Sequence, residues 1–202
     1  MIIGITGAIA SGKSQILLYI KKKGYKVISL DEISHKLFDE GEVNKKIIEK
    51  LGISDITEEK VSRARVREIV FNDKDKLNTL NNILHPLILE AMSEKIKDAR
   101  EKCENLFIEV PLLYELDMAS MFDKVIFIYV KRDTQIERLM ERENIGLDEA
   151  KLMIKNQIDV EEKKRIAMDN NHYIVNNDGV LLDTYSQLNI ILGELYETKG
   201  LL

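Results

Sequence analysis

Residues Gly7 to Ser14 read GAIASGKS, and they directly follow the apolar run Ile2-Ile3-Gly4-Ile5-Thr6. The eight residues match the phosphate-loop pattern GxxxxGK[ST] in the setting that gives the pattern a mechanical meaning, with a strand before it and a helical run, Gln15 to Ile20, after it. In such a loop the backbone N–H groups turn inward around nucleotide phosphates, Lys13 neutralises the β/γ oxygens, and Ser14 offers a hydroxyl to Mg²⁺. The helix that opens there directs its positive dipole end at the anion. A plain strand-to-helix turn is the alternative, but it leaves Lys13 in a first helical turn, where a cation is disfavoured unless an anion sits beside it. Gly7, Ala8, Ile9, Ala10, Ser11, Gly12, Lys13, Ser14 and Gln15 are therefore the candidate nucleotide-binding residues, with Ser14 also the candidate metal ligand.

Outward from the loop, five short runs read as strands: Ile2 to Thr6, Lys26 to Leu30, Leu106 to Val110, Val125 to Val130 and Tyr173 to Asn176. They are apolar at nearly every position, which is what strands covered on both faces require, and helical stretches separate them. The expected fold is α/β: a three-layer α/β/α P-loop NTPase fold with a five-stranded parallel sheet and right-handed crossovers. The helical stretch from Glu32 to Glu104 exceeds what a crossover needs, so part of it is expected to be an excursion that covers an acceptor substrate. A second, densely charged stretch from Thr134 to Asp169 can fold over phosphates as a lid, or serve as a solvated amphipathic surface. One domain is expected, with its core over 1–31, 105–133 and 170–202, the acceptor-binding region over about 32–104 and the lid over about 134–169.

With 30 Lys and Arg against 35 Asp and Glu the net charge is −5, so a global basic field for nucleic acid is missing and phosphate binding must be local. At 202 residues and 45% hydrophobic the chain can bury a sizeable core, and a single cysteine, Cys103, cannot form a disulfide within the chain, which suits a reducing compartment. No apolar run is long enough to span a bilayer, and the chain enters a strand without a leader-like segment. A cytoplasmic, soluble protein that takes small molecules, with no nucleic-acid or membrane partner and a monomer favoured, is the expectation.

Asp31 follows the second strand in Val27-Ile28-Ser29-Leu30-Asp31. Ligands of open parallel sheets bind beyond the carboxyl ends of the strands, where a carboxylate can orient an acceptor hydroxyl and take its proton. Capping the helix that starts at Glu32 is an equally good use for an Asp. Arg138 and Arg142 stand four apart and so share a helix face, which lets both guanidinium groups reach one phosphoryl group; surface pairing with Glu137, Glu141 and Glu143 competes with that use. His85-Pro86 reads as the start of a helix, because proline suits the first turn. Glu109 ends the third strand, ahead of the proline-marked exit Pro111-Leu112-Leu113-Tyr114-Glu115.

Together these pieces resemble the dephospho-coenzyme A kinases, over Met1 to about Leu192. The resemblance rests on the opening Thr6-Gly7-Ala8-Ile9-Ala10-Ser11-Gly12-Lys13-Ser14, then Asp31, then Arg63 with Val70-Phe71. His85-Pro86-Leu87-Ile88, Pro111-Leu112-Leu113-Tyr114-Glu115, Arg138 with Arg142, Gln157 and Asn176-Asn177-Asp178-Gly179 complete it. A phosphate loop alone names a very large superfamily, whereas HPLI followed by PLLYE is far more specific. The resemblance implies transfer of the γ-phosphoryl group of ATP, with Mg²⁺, to the ribose 3′-hydroxyl of dephospho-coenzyme A. Asp31 would act on that hydroxyl, Lys13 and the loop amides would hold ATP, and Arg138 and Arg142 would close over the phosphates. Arg63, His85, Pro111 and Leu112 would contact the acceptor, and Asn176 would lie beside the adenine.

The chain departs from the family pattern at several points. Ala8 and Ala10 replace two loop glycines, an exchange expected only where φ is negative. Gln15 stands for a common threonine, Ser29 for a frequent aspartate, and the segment Ala167 to His172 is lengthened. Rival readings are a kinase for a nucleoside monophosphate or sugar, and an inactive nucleotide-binding regulator. A GTP switch is disfavoured because Asn176 to Gly179 lacks the lysine of a guanine-reading NKxD segment.

Overall fold

The computed structural model describes residues 1–54, 60–71 and 73–197, except for the side chains of 196 and 197. The described chain forms two compact units, one of residues 1–28 with 102–202 and the other of residues 29–101.

The first unit is built on a five-stranded parallel sheet, β1 (Ile2–Gly7), β2 (Lys26–Ser29), β3 (Leu106–Glu109), β4 (Lys124–Tyr129) and β5 (Tyr173–Asn176), in the order β2-β3-β1-β4-β5. The central strand β1 is buried at every residue, paired with β3 from Ile2↔Leu106 and with β4 from Ile3↔Lys124. Alternate side chains go to opposite faces. Ile3, Ile5, Phe107, Ile126, Ile128 and Val175 face one helical layer, made of Ile16, Leu17 and Ile20 from α1 (Lys13–Lys22) and Leu188, Ile191, Leu192 and Leu195 from α9 (Leu181–Glu197). The opposite face receives α8 (Val160–Asp169), which packs against β4 and β5, and the ring of Tyr114, 5.9 Å from that of Phe127. Sheet faces as apolar as these need cover on both sides, which gives the three-layer α/β/α fold.

Two further helices, α6 (Arg132–Glu143) and α7 (Leu147–Lys155), bury Leu139, Ala150 and Ile154 against each other, with Ile9 and Ala10 of the phosphate loop packed on that cluster.

The second unit is helical: α2 (Leu30–Asp39), α3 (Gly41–Leu51), α4 (Arg63–Phe71) and α5 (Lys74–Glu101). Phe38, Ile47, Leu51, Val66, Val70, Ile83 and Leu84 form its core. Asn44 is buried in it, with Nδ2 donating to the Phe38 and Val61 carbonyls at 3.2 and 3.0 Å and Oδ1 accepting the Val61 N–H at 2.9 Å. A buried amide with partners on both ends fixes local geometry without an unpaired polar group.

Two local expectations are corrected here. Pro86 does not open a helix: α5 runs from Lys74 to Glu101 with Pro86 inside it. An interior proline removes one i→i−4 hydrogen bond and costs about 3 kcal/mol. The cost is borne because Ile83 and Leu84 before it, and Leu87 and Ile88 after it, pack on the same core. Strand β2 stops at Ser29 rather than Leu30, so Leu30 and Asp31 already belong to α2. The buried side chains of Leu30 and Phe38 set the helical period, and Asp31 and Glu32 suit its first turn.

Among the described residues no helix is long and apolar enough to cross a membrane.

Candidate active site

The phosphate loop leaves β1 at Gly7, a position with no room for a side chain. A Cβ there would stand 2.7 Å from both the Ile128 carbonyl oxygen and Ser11 Oγ. Further along, Gly12 is the N-cap of α1 with φ 84°, in the left-handed region that glycine enters at no steric cost. Between them Ala10 holds φ 59°. The expectation that alanine replaces glycine here only at negative φ therefore fails at Ala10, although Ala8 has no positive φ. Packing supplies the compensation: Ala10 contacts the apolar cluster of α6 and α7. Lys13 Nζ donates to the Gly7 and Ala8 carbonyls at 2.9 and 3.2 Å, which sets the ammonium across the loop. Ser14 is exposed in the first turn of α1, and Gln15 beside it is exposed too. Thr6 Oγ1, on β1, and Ser11 Oγ, within the loop, are buried without a hydrogen-bond partner.

Three side-chain amides hold the loop's backbone from outside. Gln157 Oε1 accepts the Ile9 N–H at 3.0 Å, Gln135 Nε2 donates to the Ile9 carbonyl at 3.0 Å, and Asn177 Nδ2 donates to the Ser11 carbonyl at 2.8 Å. Only Gln157 was singled out by the sequence. Gln135 was missed, its signal weak among the many polar residues of α6, and Asn177 was quoted only inside the Asn176 to Gly179 motif, with the role given to Asn176.

The two arginines of α6 separate. Arg138 turns inward, with Nη2 donating to the Asn177 carbonyl at 3.0 Å and Nη1 3.8 Å from where a Gly12 Cβ would stand. Arg142 is half-exposed, with Nε 2.8 Å from Glu143 Oε1. Of the expected pair, only Arg138 is brought to the loop. Asn176 is exposed, bonded through its N–H and its carbonyl to Gln187 at 2.9 and 3.0 Å. Its neighbour Asn177 faces the loop instead.

The turn after β3 is shaped by its own backbone. Leu116 N–H donates to the Leu112 carbonyl at 3.0 Å and Met118 N–H to that of Leu113 at 2.9 Å, burying Leu113 while Pro111 stays partly open and Leu112 exposed. Glu115 turns in from this segment: its Oε1 is 2.6 Å from Nζ of the fully buried Lys163 on α8 and accepts the Ile158 N–H at 3.2 Å. Tyr114 Oη lies 3.0 Å from His172 Nδ1, with the rings stacked. Burial raises the Tyr114 phenol and lowers the His172 imidazole, since it disfavours the charged form of each.

Glu161 accepts the Tyr129 hydroxyl at 2.6 Å; that hydrogen bond first, then burial, pushes the phenol up to about 12. At the start of α6, Asp178 is held below the usual carboxylate range by the Thr134 side chain first and by Lys131, whose N–H and Nζ lie 3.0 and 3.1 Å from it.

In the helical unit Asp31 is exposed in the first turn of α2, two residues past β2; the N-cap is Ser29, so Asp31 does not cap this helix. Arg63 opens α4 with Nε 3.9 Å from Asp39 Oδ1, and His85 is exposed on α5.

The loop geometry is that of a phosphate-binding strand–loop–helix, and the comparisons with known proteins agree. The model of the dephospho-CoA kinase family matches residues 1–183. A dephospho-CoA kinase of Bacillus cereus is 34% identical over 195 residues, covering 95% of this chain and 96% of its own. One from Carboxydothermus hydrogenoformans is 34% identical over 194 residues, covering 95% and 92%. The solved dephospho-CoA kinase from Campylobacter jejuni superposes with a TM-score of 0.75 at 31% identity, over 100% of this chain and 98% of that one. A loop built for phosphates, carried on this sheet and matched along nearly its whole length, means that the chain belongs to the dephospho-CoA kinase family.

Proposed function

We propose that this protein transfers the γ-phosphoryl group of ATP to the ribose 3′-hydroxyl of dephospho-coenzyme A, giving coenzyme A and ADP. The observation that carries the reading is the convergence of Gly12, Lys13 and Arg138 at the phosphate loop, in a chain of this family. In the transfer the acceptor oxygen forms a bond to the γ-phosphorus as the bond to the β,γ-bridging oxygen breaks, and the charge gathers on the γ and leaving oxygens. Amides of Gly7 to Gln15 and the Lys13 ammonium hold and neutralise the phosphates. Arg138, anchored at the loop, meets the γ-phosphoryl group, and Arg142 joins it by leaving Glu143.

Asp31 takes the proton of the 3′-hydroxyl. Its place two residues past β2 favours this use, because ligands of parallel sheets bind outside the carboxyl ends of the strands. The loss of its capping alternative favours it too. Arg63, His85, Pro111 and Leu112 contact the acceptor, an assignment carried by the family resemblance.

The residues fit a magnesium–nucleotide complex. Among the described residues no three His, Cys, Asp or Glu cluster as a metal cage. Mg²⁺ does not need one, since it keeps waters and phosphate oxygens and takes few protein ligands. Ser14, exposed at the start of α1, offers the hydroxyl. When bound, Mg²⁺ neutralises charge that develops on the phosphate oxygens.

A pair of variants tests the roles. Lys13→Ala should lose ATP affinity along with rate. Asp31→Asn should keep ATP affinity and lose about a hundredfold or more in kcat with dephospho-coenzyme A, as removal of a general base does. Full turnover by Asp31→Asn would remove that residue from the reaction.

A further inference from the structure

Asn177 is 3% exposed, and each of its four polar atoms is engaged. Its N–H donates to the Tyr129 carbonyl at 2.8 Å, at the end of β4. Its own carbonyl accepts from Arg138 Nη2 at 3.0 Å. In the side chain, Nδ2 donates to the Ser11 carbonyl at 2.8 Å and Oδ1 accepts from Thr184 Oγ1 at 2.9 Å. The Ser11 carbonyl decides which way round the amide sits, because a carbonyl only accepts and a reversed amide would set oxygen against oxygen there. Thr184, fully buried on α9, satisfies the other end of the amide and holds it in place. Gly12 packs flush on the same amide, because a Cβ at Gly12 would collide with Asn177 Nδ2.

We infer that Asn177 is a positioning residue that holds the phosphate loop and Arg138 in one frame. Its side chain fixes the Ser11-Gly12 segment, and its main chain, held in place by that side chain, fixes the guanidinium. A loop carbonyl that points away from the phosphates needs a partner of its own, and an unpaired buried carbonyl is costly. Asn177 supplies that partner, so the amides on the other side of the same peptides stay aimed at the nucleotide. The inference rests on the reading of the loop and of Arg138 given above.

The test compares Asn177→Ala, Thr184→Val, Thr184→Ser, Arg138→Ala and the double variant Asn177→Ala/Arg138→Ala in the full chain. The readouts are Mg-ATP dissociation constants by calorimetry, kcat with dephospho-coenzyme A, and thermal midpoints. Asn177→Ala is expected to weaken Mg-ATP binding and to lower kcat, each about tenfold, the size of one unpaired buried group. Thr184→Val should move both quantities the same way by a smaller factor, and Thr184→Ser should restore them. In the double variant kcat should be no lower than in Arg138→Ala alone, while the ATP constant stays raised. Multiplying losses in kcat would overturn the shared frame. So would wild-type values of both quantities in a Thr184→Val protein that melts normally, and that variant decides the matter if Asn177→Ala does not fold. A wild-type protein that binds Mg-ATP yet makes no product from dephospho-coenzyme A would sink the proposed function alone. The ATP constants of Asn177→Ala and Thr184→Val would then still decide: raised in support, unchanged against.

Discussion

Gln157 Oε1 accepts the N–H of Ile9 at 3.0 Å, so a residue just beyond α7 grips the middle of the phosphate loop. Gln135, buried on α6, takes the carbonyl of the same residue, and the Ile9 side chain packs on the cluster formed by α6 and α7. The α6–α7 segment and the loop thus meet at one residue, held by backbone and side chain together.

Breaking that grip should show in nucleotide binding. Gln157→Ala leaves the Ile9 N–H without its acceptor and is expected to raise KM for ATP several-fold, roughly 3- to 10-fold for one hydrogen bond of this kind. Gln157→Glu keeps an acceptor oxygen and should retain most of the wild-type value. Steady-state kinetics with ATP as the varied substrate checks it; equal KM in Gln157→Ala and wild type would show the contact to be idle.

Ala10 carries strain that can be relieved. Its φ of 59° puts a Cβ where an L-residue is disfavoured. Ala10→Gly is expected to stabilise the fold by up to about 1 kcal/mol, less whatever is lost in packing against the α6–α7 cluster and in unfolded-chain entropy. Urea unfolding measures it, and a loss of stability would mean that the Ala10 methyl group is worth more in the cluster than its backbone costs.

The sheet and the loop were legible because both are written locally. Unbroken apolar runs such as Ile2 to Ile5 and Val125 to Val130 can only be two-sided strands in a chain this polar, and GAIASGKS names its own backbone. Strand ends were less legible, since Leu30 is as suitable for the end of β2 as for the buried side of α2, and the helix won it. Pro86 misled because a local rule about helix starts was outweighed by core contacts on both sides of it. Gln135 could not be read, and Asn177 was read only as part of the Asn176 to Gly179 motif: the importance of each is the distant backbone group it meets, 126 and 166 residues away, and no local pattern encodes that.

Lys163 and Glu115 form a pair that should be far harder to break than to remove. Lys163 is fully buried with Nζ 2.6 Å from Glu115 Oε1, and Glu115 also accepts from Ile158 N–H. Lys163→Met leaves a largely buried carboxylate without its cation and is expected to cost about 3 kcal/mol or more. Adding Glu115→Gln, which retains an acceptor for Ile158, should recover part of that. A double-variant cycle by chemical denaturation gives the coupling; additive losses would mean that the two charges do not depend on each other.

His172 should make the fold weaker in mild acid. Burial lowers its folded pKa below the ordinary 6.5, so over that interval the unfolded chain binds the proton more readily. The contribution is whole above 6.5 and is lost as the pH falls from there through the folded value. Stability of the wild type should therefore drop more than that of His172→Gln between about pH 7.5 and about pH 5.5. Parallel curves from urea unfolding across that range would assign the acid sensitivity elsewhere.

The most direct test of the central claim is the product itself. Purified protein is incubated with Mg-ATP and, in separate reactions, dephospho-coenzyme A, nucleoside monophosphates and sugars, and each acceptor is followed by mass spectrometry and phosphorus NMR. Phosphorylation of dephospho-coenzyme A at the ribose 3′-oxygen, with ADP formed in equal amount, is the expected result. Phosphorylation of another acceptor in its place, or ATP binding with no phosphorylated product, would contradict it.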